Sequence, residues 1–431
     1  MQRRAFVKSG ALALVTLGLS PSFLRRSAFA LDLAQGAARL AGPRRTLVVL
    51  FQRGAADALN VLVPFGDRAY RALRPGIAIA SPGAPGGAID LDGFFGLHPA
   101  LAPLKPLWDR GMLAPVHAVG SPSATRSHFD AQDFMESGTP DVKGTRDGWL
   151  NRYLALRGTC QDGCDAGAAP SPFRAVAMAA QTPRILEGPA PTVAMSAIDD
   201  FTVRAAGPTA VQRLEALYTT GRADLVHADP VRGAGRETFE AVRALRAADP
   251  RRYAPADGAE YPRSPFGQRL LQIAQLVKAG VGLEVAFADV GGWDTHVNQG
   301  AATGPLANRL NDFARAIAAF TTDLGDRMED VLVVTASEFG RTARQNGTGG
   351  TDHGHAGSMF VVGGRLAGGG RVHGRWPGLA PELLHEGRDL ALTTDFRAVF
   401  AEAVARHLGA VRTDALFPTY TGTPRDWLGI V

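Results

Sequence analysis

Short apolar runs recur along the chain, each followed by turn-forming residues, and this pattern is typical of buried β-strands. The predicted strands cover residues 46–51, 114–119, 175–179, 283–288, 331–335 and 359–362. Between several of them, apolar residues recur at spacings of three and four, which predicts amphipathic helices. The predicted helices cover residues 99–110, 127–136, 265–279, 305–327 and 395–408. Alternating strands and helices predict an α/β fold with a doubly wound, mostly parallel sheet flanked by helices.

The stretch from residue 183 to residue 262 departs from this alternation. It is more polar than the rest, and its candidate helices at 211–219 and 237–248 have no predicted strand between them. We interpret it as a helical insertion or cap on one α/β domain that covers residues 46–431. A single domain of this size is compatible with the fold class, since α/β domains often exceed the usual length of about 100–200 residues.

The whole excess of positive charge lies in the first 30 residues. The chain has 46 Lys and Arg residues against 41 Asp and Glu residues, and residues 1–30 hold five basic residues and no acidic one. A basic start with adjacent arginines at 3–4, an apolar stretch at 11–19 and an A-x-A sequence at 28–30 are typical of a cleavable twin-arginine export signal. We therefore expect a signal peptide at 1–30, a linker at 31–45, the twin-arginine export machinery as a partner, and a periplasmic or secreted protein.

Removing the signal leaves 41 basic and 41 acidic residues, so the charge balance does not indicate a nucleic-acid partner. The apolar stretch at 11–19 is shorter than the ~20 residues that cross a bilayer, and no later run of 18 apolar residues occurs. We expect neither nucleic-acid binding nor a stable membrane span. The sequence leaves the oligomeric state open.

The two cysteines, Cys160 and Cys164, lie in a loop rich in glycine, alanine and proline. In an exported protein they can form a local disulfide. A metal clip is the alternative, with Asp162 and Asp165 as the nearby ligands.

Polar residues collect directly after the predicted strands, which is where ligands bind in an open α/β sheet. Carboxylates and imidazoles are prominent among them, and this combination suits zinc or a related divalent ion. We predict a site for one or two divalent metal ions, with zinc as the expected cofactor. The candidate metal ligands are Asp57, Asp294, His296, Glu338, Asp352, His353 and His355.

The segment at 126–130 allows two compatible interpretations. Ser127 can be the N-cap of a helix, with Asp130 as its capping-box partner. Ser127 can also be a metal-activated nucleophile at that helix N-terminus, with Arg126 or His128 contacting the charged oxygens of the substrate. Arg341 is a further candidate for oxyanion binding. The candidate catalytic residues are Ser127, His128, Arg126 and Arg341.

Five motifs in a fixed order connect the chain to a known family. They are RGAADALN at 53–60, RSHF at 126–129, GWDTH at 292–296, SEFGR at 337–341 and DHGH at 352–355. With these motifs, the chain resembles the family of exported bacterial proteins called domain of unknown function 1501, which is related in fold to alkaline phosphatases and sulfatases. The resemblance covers nearly the whole length.

The resemblance implies a metal site in which a strand ending in T-x-D-H-G supplies two ligands. The corresponding run here is 335–340, where Glu338 can replace the aspartate but Phe339 cannot replace the histidine. Either His353 or His355 takes that place, or one metal site is lost. The first aspartate of the superfamily follows its strand directly, whereas Asp57 lies six residues beyond Phe51. The C-x-P-S-R pattern of formylglycine sulfatases is absent, which argues against that class.

Two hypotheses for function follow. The first is an exported metal-dependent hydrolase of a phosphate or sulfate ester, on a small molecule or linked to a polymer. The second is a non-catalytic exported binding or assembly protein that keeps the fold with a degenerate metal site. Phe339 in a ligand position favours the second.

Overall fold

The computed structural model describes residues 45–158, 171–201, 215–216, 230–410 and 412–431. The predicted signal peptide, the linker up to residue 44, both cysteines and most of the predicted helix at 211–219 lie outside the described residues. The chain forms two compact units. The first unit includes 146–254 and 272–287, and the second consists of 45–145, 255–271 and 288–431. The domain bounds taken from the sequence stay a prediction.

Eleven strands occur in the described part of the chain, and they include all six that the apolar runs predict. They are β1 (Thr46–Gln52), β2 (Leu62–Val63), β3 (Ile89–Asp90), β4 (Gly96–Leu97), β5 (Leu113–Gly120), β6 (Ala175–Ala177), β7 (Val193–Ala194), β8 (Val285–Val290), β9 (Val331–Ser337), β10 (Gly357–Gly363) and β11 (Thr394–Asp395). Every residue of β1 and β5 is buried. Full burial explains why these strands are apolar runs rather than alternating patterns.

In the second unit, neighbouring strands of the sheet follow the order β11-β5-β10-β9-β1. β1 pairs in parallel with β9, and β11 pairs in parallel with β5, whereas β10 runs antiparallel to both of its neighbours. In the first unit, β6 pairs in parallel with β7 and with β8. A smaller antiparallel sheet in the second unit has the order β2-β4-β3. The predicted α/β class with a mostly parallel sheet is confirmed.

The α-helices of the described residues overlap all five predicted segments and the candidate at 237–248, with differences at their ends, and some of them have no counterpart among the predicted segments. The helices are α1 (Ala58–Val61), α2 (Arg68–Leu73), α3 (Lys105–Asp109), α4 (His128–Ser137), α5 (Trp149–Gly158), α6 (Pro230–Ala248), α7 (Pro265–Lys278), α8 (Pro305–Leu324), α9 (Phe396–Glu402) and α10 (Thr413–Leu416). None of the helices in the described part combines the length and the apolarity that a membrane crossing needs.

Helix α8 illustrates how the hydrophobic pattern and the residues at both ends determine a helix. Its apolar stripe is entirely buried, and the stripe consists of Leu306, Leu310, Phe313, Ile317, Phe320 and Leu324. Pro305 begins the helix, where a missing N–H costs nothing. Gly325 ends it with a φ of 51°, so the predicted continuation to residue 327 becomes a 3₁₀ helix, Gly325–Asp330.

Two other predicted helices are divided for local reasons. The first half of the segment 99–110 is a 3₁₀ helix, Pro99–Leu104, with Pro103 inside it. A proline lacks the N–H that an α-helical bond needs, so the α-helix begins only at α3. The segment 395–408 forms α9 and then one π-helical stretch, Ala403–His407.

A buried carboxylate at the end of α9 holds the last four residues of the chain. Glu402 is 1% exposed, and its Oε2 accepts hydrogen bonds from the backbone N–H groups of Leu428 and Gly429. Its Oε1 accepts from those of Ile430 and Val431. Residues 428–431 are therefore held beside α9 by a single side chain, that of Glu402.

Replacing Glu402 with glutamine is expected to lower the free energy of unfolding by about 1–3 kcal/mol, because an NH₂ group then faces two N–H donors and no acceptor. Urea denaturation measures this loss. The exposed Glu382 gives a matched control, Glu382→Gln. Equal stability of the two variants would contradict the prediction.

Candidate metal centre

Three imidazoles meet at one carboxylate in the second unit. The Nε2 atom of His353 lies 3.1 Å from that of His128 and 3.0 Å from that of His296. The Asp294 carboxylate lies beside all three Nε2 atoms, at 3.0 Å from His296, 3.3 Å from His353 and 3.6 Å from His128. In the described part of the chain, one group of at least three potential metal ligands has all its ligand atoms within 4.8 Å of one another, and it consists of His128, Asp294 and His353.

The four residues come from three segments that reach the same edge of the sheet. His128 is the first residue of α4, which follows β5, and the loop after β8 carries Asp294 and His296. His353 lies just before β10. Because β10 runs antiparallel to β5 and β9, its beginning lies at the edge where those strands end. Ligand sites in open α/β sheets form beyond the carboxyl ends of the strands, which explains why these segments meet.

Each imidazole is oriented by an acceptor on its other nitrogen. The Nδ1 atom of His128 lies 2.8 Å from Glu338 Oε1, and that of His296 lies 3.1 Å from Asp352 Oδ1. The Nδ1 atom of His353 lies 2.9 Å from the backbone oxygen of Arg126. Carboxylate and carbonyl oxygens only accept, so each Nδ1 carries the proton and donates it. In this tautomer, the lone pair that each ring can offer to a metal is on Nε2, which faces the centre.

This arrangement fits a metal ion. His353 Nε2 lies at 3.0–3.1 Å from the other two Nε2 atoms, and the Asp294 carboxylate lies at 3.0–3.6 Å from all three. Nitrogen lone pairs and a carboxylate at such distances repel one another unless a cation lies among them. In a tetrahedral zinc site with Zn–N bonds of 2.0–2.1 Å, neighbouring nitrogens lie about 3.3 Å apart. Histidine ligands of metals also donate their second N–H to a carboxylate or a carbonyl. The donor set and its surroundings therefore suit zinc or a similar divalent ion.

Arg341 holds the Asp294 carboxylate in place. Its guanidinium is buried, and Nη2 donates to Asp294 Oδ1 at 2.5 Å. The remaining donors bind backbone oxygens of Gly54, Ala55 and Thr351. Burial opposes ionisation of Asp294, but the Arg341 hydrogen bond and charge outweigh it and keep the pKa of Asp294 below its usual value. Arg341 thus orients a candidate ligand, and its donors are used within the protein.

Glu338 is buried behind His128. Desolvation favours its neutral form, but hydrogen bonds from His128, from Gln132 and from the backbone N–H of Gly54 overcome this and lower the pKa of Glu338. The hydrogen bond to Glu338 in turn raises the pKa of His128. The pKa of His353 is lowered, chiefly by desolvation. Phe339 stacks on the His128 ring at 4.9 Å between ring centroids, so the residue in the expected ligand position supports a ligand instead.

Asp352 lies behind His296 on the outer side of the cluster. The hydrogen bond from Asn346 is the main cause that lowers the pKa of Asp352, and the contact with His296 adds to it. Asp352 and Glu338 therefore both remain ionised at neutral pH and act on the imidazoles as acceptors.

Two predicted metal ligands lie in other environments. Asp57 is fully buried and pairs with Arg74 at 2.6 Å, and Gln299 donates to the same carboxylate oxygen. The His355 ring stacks on His385 at 4.2 Å. Desolvation and the charge of His385 lower the pKa of His355 to about 4. The structure does not bring either side chain into the imidazole cluster.

The predicted catalytic residues Ser127 and Arg126 are placed as follows. Ser127 is the N-cap of α4, and its hydroxyl accepts a hydrogen bond from the backbone N–H of Asp130. Its side chain is exposed, so the capping role leaves it accessible. Arg126 forms ion pairs with Glu386 and Asp389, both at 2.6 Å, and its backbone oxygen orients His353.

Several residues of the centre are not predicted from the sequence. Gln132 and Asn346 hydrogen-bond the outer carboxylates, and Arg388 donates to the backbone oxygen of His353 at 2.8 Å. The helical spacing of four between His128 and Gln132 was the one available signal for Gln132. Arg388 comes from a distant segment that carries no motif.

Zinc affinity is expected to fall as the pH drops, starting above the ordinary histidine pKa of about 6.5. Glu338 raises the pKa of His128, and a protonated imidazole cannot bind metal, so affinity is full above the raised pKa and is lost as pH falls through it. In Glu338→Gln, the midpoint should move to lower pH. Competition titrations with a chelator at a series of pH values measure both midpoints, and coincident midpoints would refute the effect.

Two solved structures are similar to this chain at low sequence identity. One is a protein in the alkaline phosphatase superfamily from Vibrio parahaemolyticus, with 13% identity and a TM-score of 0.32 over 81% of this chain and 71% of that chain. The other is the lipoteichoic acid synthase LtaP from Listeria monocytogenes, with 9% identity and a TM-score of 0.31 over 84% of this chain and 73% of that chain.

A comparison with curated proteins finds no match. A family profile described as a protein of unknown function, DUF1501, matches residues 113–416. This range is more than half of the chain and contains four of the five motifs. The chain therefore belongs to the DUF1501 family.

Proposed function

We propose that the protein is an exported, metal-dependent hydrolase of a phosphate or sulfate ester. The observation that carries this proposal is the convergence of three imidazole Nε2 atoms on the Asp294 carboxylate. His128, Asp294 and His353, whose ligand atoms lie within 4.8 Å of one another, would hold the ion, with His296 beside them as a further candidate ligand. A bound divalent ion supplies Lewis acidity, which polarises an ester oxygen and favours attack on it. Export is supported by the signal-like pattern of residues 1–30.

The residues around the cluster have separate roles in this proposal. Ser127 is the proposed nucleophile, because its hydroxyl is exposed and precedes a candidate ligand directly in the chain. It lies at the N-terminus of α4, where free N–H groups and the helix dipole favour an anionic oxygen. Arg388, with a side chain 41% exposed, adds positive charge beside His353 for an anionic ester. Arg341 keeps Asp294 ionised and oriented.

Metal analysis of the purified protein and turnover of generic aryl phosphates and aryl sulfates test the proposal. We expect about one bound divalent ion per chain, since zinc sites of this kind use three or four protein ligands. Turnover should be lost in His128→Ala and should fall strongly in Ser127→Ala. Metal-free protein, or equal turnover in the wild type and His128→Ala, would refute the proposal. Metal binding without turnover would favour the binding or assembly protein.

A further inference from the structure

A hydrogen-bond network continues behind Glu338 to residues that do not touch the imidazole cluster. Gln132 lies one helical turn after His128 on α4, and its Nε2 donates to Glu338 Oε1 at 2.9 Å. The side-chain oxygen of Gln132 accepts from Arg53 Nη1 at 2.8 Å. Arg53 opens the RGAADALN motif at 53–60, to which the proposed reaction assigns no role.

The Arg53 guanidinium is held on two sides. Its Nε donates to Asp289 at 2.6 Å, and its Nη1 also donates to Glu136 at 2.9 Å. Asp289 is bound in turn by Arg269 at 2.8 Å. Glu136 and Asp289 contact the Arg53 guanidinium directly and give it one orientation, with a donor directed at Gln132.

Because a guanidinium only donates, the Gln132 atom that faces it must be the amide oxygen. The amide nitrogen must then face Glu338. Glu338 Oε1 consequently receives three donors, from Gly54 N at 2.8 Å, Gln132 Nε2 at 2.9 Å and His128 Nδ1 at 2.8 Å. If the amide flipped, an oxygen would lie against the carboxylate, which would displace Glu338 and release His128.

We infer that Arg53 and Gln132 are positioning residues, which orient His128 as a metal ligand through Glu338. This inference rests on the proposed metal centre. Arg53 selects the orientation of the Gln132 amide, the amide holds Glu338, and Glu338 directs the His128 ring. A role is thereby assigned to the first residue of the RGAADALN motif.

Cobalt(II) and zinc binding to full-length metal-free variants test the inference. Substituting an outer residue that supports a metal ligand typically weakens metal binding about 10–100-fold. We expect this loss in both Gln132→Met and Arg53→Met, together with a changed cobalt absorption spectrum. The double variant should be no weaker than Gln132→Met, because Arg53 acts through Gln132. Arg53→Lys keeps one donor and should show a smaller loss.

Arg269→Met is the matched control, since Arg269 binds the same Asp289 carboxylate but does not contact Gln132, and both Glu136 and Asp289 still hold Arg53 in this variant. It should keep the wild-type affinity and spectrum. Thermal unfolding of the metal-free variants identifies any that fail to fold, and Arg53→Lys then carries the test. Wild-type affinity and spectrum in Gln132→Met would overturn the inference. Independent, additive losses in the double variant would also overturn it. Either result would leave the proposed metal centre intact. Failure of the wild type to bind either ion would instead overturn the proposed function.

Discussion

Zinc binding is expected to weaken by more than about 100-fold when His353 is replaced with alanine. The His353 Nε2 atom lies within 3.3 Å of His128 Nε2, His296 Nε2 and Asp294 Oδ1, so its loss removes the central ligand. Removing a ligand should cost more than substituting a residue that merely supports one, which costs about 10–100-fold. A competition titration against a chromophoric chelator at constant pH measures the change.

His355→Ala is the control for this prediction, because it changes the second histidine of the same DHGH motif. The His355 ring stacks on His385, outside the cluster. We therefore expect wild-type zinc affinity in this variant. Equal losses in the two variants would show that both histidines bind metal, which would contradict the arrangement described above.

The large elements of the fold could be predicted because their causes are local. The apolar runs that became β1, β5 and β9 are buried along their length, and full burial needs a continuous run of apolar residues. The strands β2, β3 and β11 have two residues each. Two residues cannot form a periodic pattern, and such strands exist only because a partner strand is already in place.

The sequence predicts which segments form the candidate site, but it does not predict which of their side chains contact one another. From the sequence, Asp57 and Asp294 have the same expected role, since each is a carboxylate that follows a strand. The structure separates them through arginines that no spacing rule identifies: Arg74 pairs with Asp57, and Arg341 turns Asp294 toward the imidazoles. His128 was expected to contact substrate, but its ring points at the other histidines because Glu338 binds its Nδ1.

The Asp57–Arg74 pair makes the second prediction with a large effect. Both side chains are fully buried. Arg74 Nη1 donates to Asp57 Oδ2 at 2.6 Å and to Asn60 Oδ1 at 2.9 Å. The other donors of Arg74 bind the backbone oxygens of Ala343 and Thr342 at 2.9 Å and 2.8 Å. The guanidinium therefore joins α2 to the loop after β9, and it neutralises a carboxylate that water cannot reach.

Arg74→Met is expected to lower the free energy of unfolding by about 3–5 kcal/mol, because it leaves the Asp57 carboxylate buried without a counter-charge. Adding Asp57→Asn should recover part of that loss by removing the charge. Arg71→Met, on the exposed side of the same helix, is the control and should change stability little. Urea denaturation measures all three variants. A loss in Arg74→Met no larger than that in Arg71→Met would refute the structural role.

A folded Asp57→Asn variant should keep wild-type zinc affinity, since Asp57 binds Arg74 and Gln299 rather than the imidazoles.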